Sequence, residues 1–355
     1  MYNIAKLSKE DRKELFDTYI LKFEVPGEIV EKDFWVSLML DYIFHKSIYK
    51  DYFTFKGGTS LSKCFHIIDR FSEDIDLILN WNYLGIPDEE VYVQRTNNAQ
   101  SKYNEKILNL SAEFIEKRLL PSMEEDFEVI LNSKPEFQLA NNKQIIEFYY
   151  PNVYNANNVG LLQSIRLEIG PLAERVPFTV KEISPLISDI NTPIIKQSTS
   201  MIRCISPERT FWEKVLILHQ EAHRPMTKRD KDGNTIPNLM PSRYSRHYYD
   251  VWKISQTNYK SIALNDLDLL ERVRKFKKNF YRYSWDNLEN AIPGNIVLIP
   301  SEDRIIELRK DFESTKFMIN DNTINSFDDV LLHLSDLEKE INNLKTGITL
   351  KWYLL

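Results

Sequence analysis

Asp74 and Asp76, one isoleucine apart in "EDIDLIL" (73–79), are the residues of this sequence best spaced for chemistry. On an extended chain alternate side chains share a face, so both carboxylates project together with α-carbons roughly 6.5–7 Å apart. That spacing suits Mg²⁺, a hard cation that takes carboxylate oxygens and keeps company with phosphates. An isolated D-x-D could equally be a polar strand edge facing solvent. Upstream, "TFKGGTSLSK" (54–63) sets Gly57 and Gly58 directly after a strand-like run, in a chain with only 9 glycines. A glycine pair there lets the backbone turn sharply and offer its N–H groups, backed by a helix dipole, to an anion such as a nucleotide phosphate. Alone it could be an ordinary tight turn. Joined to the aspartates, it forms one compact unit whose two ends can meet on a triphosphate and its metal ions.

The elements that must position these groups follow from periodicity. "DYFTFK" (51–56) is aromatic and β-branched and predicts a strand. Thr59 or Ser60 is expected to cap a helix with Leu61, Cys64, Phe65 and Ile68 at i, i+3, i+4, i+7 spacing. In 73–79 strict alternation puts Asp74 and Asp76 opposite Ile75, Leu77 and Leu79, a second strand. A third carboxylate should come from a neighbouring strand; "QSIRLEIG" (163–170) offers Glu168 on the face of Ser164 and Arg166. Helices are expected over 28–45 and 97–120, and strands over 127–131, 145–150 and 163–169. From "SPERTFWEKV" onward the pattern turns helical, with Ser206 as N-cap and Pro207 at the first helical position. Residues 224–243, rich in proline, asparagine and charge, read as a long mobile loop. The expected fold class is α+β: a mixed-sheet core with flanking helices over 1–200, then a mostly helical domain over 201–355.

Composition narrows the setting. The 355 residues are 43% hydrophobic and 28% charged, which suits an ordered protein. A net charge of −6 excludes a polycation that binds nucleic acid along its whole length, so any such contact must be local. Cys64 and Cys204 are too few for a disulfide framework and show no metal-ligand spacing with the six histidines. The charged start "MYNIAKLSKEDRKELF" and the lack of a long apolar run predict a cytoplasmic chain without a membrane span.

Four stretches, "EKDFWV" (31–36), "FKGGTSLSK" (55–63) with "RFSEDIDL" (70–77), "SPERTFWEKV" (206–215) and "RHYYDVWKI" (246–254), resemble the nucleotidyltransferase toxins of the AbiEii/AbiGii (abortive infection) type, within the DNA polymerase β-like superfamily. The resemblance covers most of residues 30 to 255. It implies an Mg²⁺-dependent enzyme that transfers NMP from an NTP, with Asp74, Asp76, Lys214 and Asp250 as catalytic residues. It also implies Gly57, Gly58, Thr59, Ser60, Ser72 and Lys214 on the nucleotide. Asp74, Asp76 and Glu168 would be the metal ligands, although aspartate is the usual third carboxylate of the superfamily. Related toxins modify tRNA 3′ ends in phage defence and sit beside a cognate antitoxin, so an RNA acceptor, a tRNA above all, and an antitoxin partner are expected.

From the residues alone, some roles stay open. Lys214 flanks the apolar stripe Phe211, Val215 and Leu218 and could simply cover it with its stem. Asp250, three residues after His247 and seven after Arg243, could be an ordinary surface ion pair. Lys32 and Asp33 could brace the site's edge or touch substrate. "RVRKFKKNFYRYSW" (272–285) sets Arg274, Lys278 and Arg282 on one helical face near Phe276, Phe280 and Tyr283, cations and rings of the kind single-stranded RNA requires; Lys228, Arg229 and Lys231 could add to them. A solvated helix face is the plainer reading. The same core could instead modify a protein or small-molecule hydroxyl, or bind NTP without catalysis.

Overall fold

The computed structural model describes residues 1–70, 74–155, 161–190, 198–316, 319, 324 and 326–344. The chain forms two compact units, one of residues 1–66 and 71–206, the other of residues 67–70 and 207–355.

The first unit opens with helices α1 (Tyr2–Ala5), α2 (Lys9–Phe23) and α3 (Gly27–Asp41). Strand β1 (Phe53–Lys56) runs straight into helix α4 (Gly57–Lys63), and β2 (Asp74–Leu79) follows. Helices α5 (Asp88–Val91), α6 (Asn97–Phe114) and α7 (Leu120–Leu131) lead to β3 (Glu136–Ala140), β4 (Ile145–Tyr149), β5 (Ile165–Gly170), β6 (Phe178–Ile183) and β7 (Ser200–Ile205). The seven strands make one mixed sheet in the order β3-β4-β5-β2-β1-β7-β6. Strand β2 lies at its centre, antiparallel to β1 and parallel to β5. The expected α+β class with a mixed sheet and flanking helices is what forms.

Alternation decides which face becomes core. Ile75, Leu77 and Leu79 of β2 and Ile165, Leu167 and Ile169 of β5 join Phe34, Trp35 and Leu38 of α3 in one buried cluster. Trp35 meets the ring of Phe148 on β4 edge-on at 5.9 Å, and Phe127 of α7 meets Phe148 at 4.9 Å. Each such ring buries enough apolar surface to contribute roughly 1.5–3 kcal/mol. The opposite face of β2 and β5 is thereby left to Asp74, Asp76, Arg166 and Glu168. Lys32 and Asp33 brace this unit from α3. Lys32 Nζ donates to the Leu162 carbonyl at 2.8 Å. Asp33 takes Lys63 Nζ of α4 at 2.5 Å and the Leu186 amide at 2.6 Å.

Three local expectations are corrected. Residues 127–131 are helical: Pro121 sits in the first turn of α7, and Met123, Phe127 and Leu131 are buried at helical spacing. Read in isolation, "FEVIL" hides that four-residue period. Helix α4 starts at Gly57, with Lys56 in the N-cap position, so neither Thr59 nor Ser60 is the cap, and it ends at Lys63 before Phe65 and Ile68. Residues 224–243 are not a structureless loop. They hold the hairpin β8 (Thr227–Arg229) and β9 (Thr235–Pro237). Its turn is closed by Asp230, whose carboxylate accepts the Asp232 and Asn234 amides at 2.9 and 2.8 Å. Aspartate and glycine supply the turn geometry, and Gly233 has φ +85°.

Among the described residues the second unit's main elements besides that hairpin are the helices α8 (Pro207–Ala222), α9 (Ser245–Ser255), α10 (Asn258–Leu264), α11 (Leu267–Phe280), α12 (Glu302–Thr315) and α13 (Phe327–Asn342). Helix α8 begins at Pro207, as its sequence predicts. It buries Phe211, Trp212, Val215 and Leu218, and α9 buries Tyr248, Val251 and Ile254. Residues Ile67–Arg70 belong to this unit, so the chain leaves the first unit after α4 and returns to it for β2. No helix among the described residues is long and apolar enough to cross a membrane.

Candidate functional site

In the first unit the glycine turn and the acidic strand are in direct apposition. Lys56, the last residue of β1, pairs in register with Asp76. Gly57 follows with φ +83°, and a Cβ on it would lie 1.9 Å from Asp76 Oδ2. Only glycine serves here, both for the backbone conformation and for the room the carboxylate needs. Gly58 continues as helix. Thr59 Oγ1 donates to the Asp74 carbonyl at 2.5 Å and Ser60 Oγ to the Gly57 carbonyl at 2.9 Å. The Thr59 bond pins α4 to the start of β2; the Ser60 bond closes the turn on itself. Ser72 lies outside the described residues.

Across the sheet, Asp76 sits opposite Glu168 and Asp74 opposite Arg166. All four are half-buried at the edge of the core. Arg166 lies among the carboxylates, 3.7 Å from Asp74, 3.3 Å from Glu147 and 3.5 Å from Glu168. At this exposure each pair contributes under about 1 kcal/mol. Their effect is to offset like-charge repulsion along the strands. Among the described residues no three His, Cys, Asp or Glu side chains converge as an all-protein metal cluster. Two carboxylates on one strand, with a third opposite and the glycine backbone pressed against one of them, instead fit Mg²⁺ that arrives with phosphates, because Mg²⁺ is commonly held by one or two carboxylates and substrate oxygens.

The second unit carries a different arrangement. Asp250 on α9 is fully buried and receives Arg70 Nε and Nη2, each at 2.8 Å, on its two oxygens. Lys214 Nζ from α8 lies 2.9 Å from Asp250 Oδ2 and 3.2 Å from His247 Nδ1. Neither plain alternative holds: Lys214 is buried with a partner rather than spread over apolar surface, and Asp250 is no surface pair. Arg243 precedes α9 with φ +60°, off the helix face that Asp250 and His247 share. The segment bearing Arg70 is held by further ties. The Asp69 amide donates to Tyr249 Oη at 3.2 Å, and Asp69 takes Lys253 at 2.9 Å.

Electrostatics follow from this packing. Burial alone would raise the Asp250 carboxyl, but Arg70 and Lys214 outweigh it and hold the group below the usual carboxylate range. For Lys214, burial and the neighbouring Arg70 and Arg246 outweigh the attraction of Asp250, which Arg70 already engages, and its pKa is lowered. Two cations on one carboxylate leave surplus positive charge, and a phosphate is the natural ligand to neutralise it.

Residues 39–332 match the family profile of the nucleotidyl transferase AbiEii toxin, type IV toxin–antitoxin system. The chain belongs to this family. This AbiEii-family protein is therefore a nucleotidyltransferase toxin, which implies an NTP substrate and an antitoxin partner. The match spans the glycine turn, the D-x-D strand, Lys214 and Asp250, and it runs on through α12 into α13. Among solved structures the family member is similar to MenT4, a nucleotidyltransferase toxin from Mycobacterium tuberculosis H37Rv. The two are 14% identical with a TM-score of 0.42 over 93% of this chain and 99% of that one, a likeness too distant to carry residue roles. No curated protein sequence matches.

Arg70 is the residue that sequence reading leaves without a role, although it stands inside "RFSEDIDL". The one available signal is a lone arginine closing the apolar run "FHIIDRF". The expected RNA-binding residues are largely engaged within the family member itself. Arg274 pairs with Glu271 at 2.7 Å and donates to the Leu288 and Glu289 carbonyls. Lys278 contacts Glu289, and Arg282 Nε donates to the Lys278 carbonyl at 2.9 Å. Phe276 and Phe280 are stacked and buried. By contrast, Lys228, Arg229 and Lys231 on the hairpin are exposed and have no ion pair among the described residues.

Proposed function

We propose that this toxin transfers NMP from Mg·NTP to an RNA acceptor, a tRNA 3′ end above all. The observation that carries the reading is the contact of Asp76 with Gly57, which sets a D-x-D pair against a backbone turn able to approach phosphate oxygens. Asp74 and Asp76 would hold Mg²⁺, with Glu168 as the third carboxylate. When bound, Mg²⁺ supplies charge neutralisation and acidifies an acceptor hydroxyl. In the reaction the acceptor oxygen bonds to the α-phosphorus while the bond to pyrophosphate breaks, so positioning and charge offset are what the protein must supply.

Each residue then has a definite task. Gly57 gives close backbone approach, and Thr59, bonded to the Asp74 carbonyl, fixes the start of the acidic strand. Lys214 holds phosphate oxygens. Asp250, kept ionised by Arg70 and Lys214, is a poor proton acceptor; it orients the lysine. Acceptor phosphates are met by the hairpin cations Lys228, Arg229 and Lys231, which have no ion pair among the described residues, in preference to Arg274, Lys278 and Arg282, which pair with carboxylates and carbonyls of their own unit.

The test is to incubate purified protein with Mg²⁺, each α-³²P-labelled NTP and total RNA, beside the Asp74→Asn/Asp76→Asn double variant. Label in a tRNA-sized band that needs both aspartates is the expected result. Label on the protein itself or on a small molecule, with RNA unlabelled, would overturn the RNA acceptor. Reversing Lys228, Arg229 and Lys231 to glutamate should weaken RNA labelling and lower its salt sensitivity, because each phosphate contact adds to the salt slope.

A further inference from the structure

We infer that His247 is a second phosphate-binding residue of the helical unit: its Nε2–H donates to the phosphate oxygens that Lys214 holds, and Arg246 adds a further cation to the same anion. This rests on Lys214 being a phosphate ligand.

Geometry fixes the histidine's tautomer. Lys214 Nζ stands 3.2 Å from Nδ1. An ammonium has only donors, so Nδ1 must accept, and the single proton of a neutral imidazole then sits on Nε2. Every charged group facing the ring has a bearing on that neutrality. Burial comes first, then Lys214 and Arg246, with Arg70 beyond them; all disfavour the imidazolium, and Asp250 alone opposes them. The ring is further held edge-on by Tyr244 at 4.9 Å. His247 therefore serves as a fixed donor, not as a base.

That donor is unused among the described residues. Among the described residues Nε2 has no hydrogen-bond partner, and the side chain is only half-buried, so a ligand can reach it. Arg246, one residue earlier, is exposed and has neither a hydrogen bond nor an ion pair among the described residues. Three donors from two helices thus surround a cluster in which the carboxylate of Asp250 is already engaged by Arg70. A multiply charged oxyanion is the ligand that uses all of them.

The competing role is that the imidazole merely seats Lys214, and two substitutions separate the alternatives. In His247→Asn the amide oxygen takes the place of Nδ1 and still accepts from Lys214, but the distal donor is gone. In His247→Gln the amide nitrogen takes the place of Nε2 and can still donate outward. Full-length protein is titrated with inorganic triphosphate by calorimetry, and KM and kcat for labelled NTP are measured in parallel. His247→Asn should weaken triphosphate binding about tenfold and raise KM more than it lowers kcat, while His247→Gln stays within about threefold of wild type. Arg246→Ala, at an exposed site that cannot compromise folding, should also lose about tenfold. Wild-type affinity in His247→Asn with loss in His247→Gln overturns the donor role, as does an indifferent Arg246→Ala or a wild type that ignores triphosphate. Should the wild type bind triphosphate with this variant ranking yet transfer no nucleotide, the transferase reaction fails and the anion site stands. Transfer that proceeds normally in all three variants means the reverse: the reaction stands and the anion site fails.

Discussion

Asp76 and Asp250 are both carboxylates set on regular elements, and the two units treat them in opposite ways. Asp76 stands half-buried on the polar face of a central strand, with glycine backbone against it and Glu168 opposite. Asp250 is fully buried, and both of its oxygens are taken by Arg70 and Lys214. A carboxylate kept near water is available to a ligand that comes and goes. One saturated by buried cations is committed to holding those cations in place. The first unit therefore leaves its carboxylates open to a ligand, and the second commits Asp250 to holding its own cations.

The widest separation should come from the acidic strand. Asp74→Asn/Asp76→Asn is expected to lower nucleotide transfer by about a thousandfold or more, in the range seen when charge stabilisation is removed from a transition state. Its unfolding midpoint should stay close to wild type, since neither carboxylate is a core contact. A large fall in the midpoint would show that these acids hold the sheet and would erase the contrast with Asp250.

Asp250→Ala should do the reverse in kind. It leaves Arg70 and Lys214 as buried, uncompensated like charges, which costs roughly 3–5 kcal/mol. Urea unfolding should show this as a shifted midpoint with an unchanged slope, and activity should fall with it. Asp250→Asn removes the charge and keeps the shape, so a midpoint equal to wild type in that variant would mean that shape and not charge holds Arg70.

Much of this contrast is legible in the sequence, and the reasons it stops are physical. The D-x-D strand can be read because alternation has a period of two and Ile75, Leu77 and Leu79 fill the other phase. Gly57 stands out by rarity and position, yet its reason, a Cβ that would meet Asp76, exists only once β1 and β2 pair. Pro207 marks a helix start by its fixed φ. Helix α7 is misread when five residues are weighed without Met123 and Pro121. The hairpin escapes notice because its strands are three residues each and polar, although aspartate and glycine in "DKDGN" announce the turn. Arg70 is out of reach: it finds Asp250 across 180 residues, and no local period encodes such a pair.

Acid should loosen the second unit, and Asp250 is not the cause. A carboxyl with a lowered folded pKa gives stability above its unfolded value and loses it only well into acid. His219 on α8 behaves differently. Buried against α8 and the chain after α11, it accepts the Val297 amide on Nδ1 at 3.1 Å, leaving Nε2 to donate to the Asn287 carbonyl at 3.2 Å. Burial, with His223 beside it, lowers its pKa to about 4 from 6.5, against the pull of Asn287 and Asp286. The unfolded chain then binds the proton more tightly, so stability falls as pH drops from 6.5 towards 4, by up to about 3 kcal/mol. His219→Asn, which keeps an acceptor for Val297, should flatten this part of the unfolding-versus-pH curve; an unchanged slope would assign the loss to other groups.

The smallest effect sharpens the first unit's side of the comparison. Arg166 stands among Asp74, Glu147 and Glu168 at 3.3–3.7 Å, and its side chain is 27% exposed. Pairs this open to water contribute little, so Arg166→Ala should change stability by under about 1 kcal/mol. What it removes is the positive charge that offsets the three acids, and the field at Asp74 becomes more negative. A divalent cation, titrated as Mn²⁺ in the absence of nucleotide, should therefore bind a few times more tightly than in wild type. Added salt should shrink the gain, because half-exposed charges are screened. Unchanged Mn²⁺ affinity at low salt would mean that Asp74 and Asp76 do not face the ion, and the division of labour between the two units would have to be drawn elsewhere.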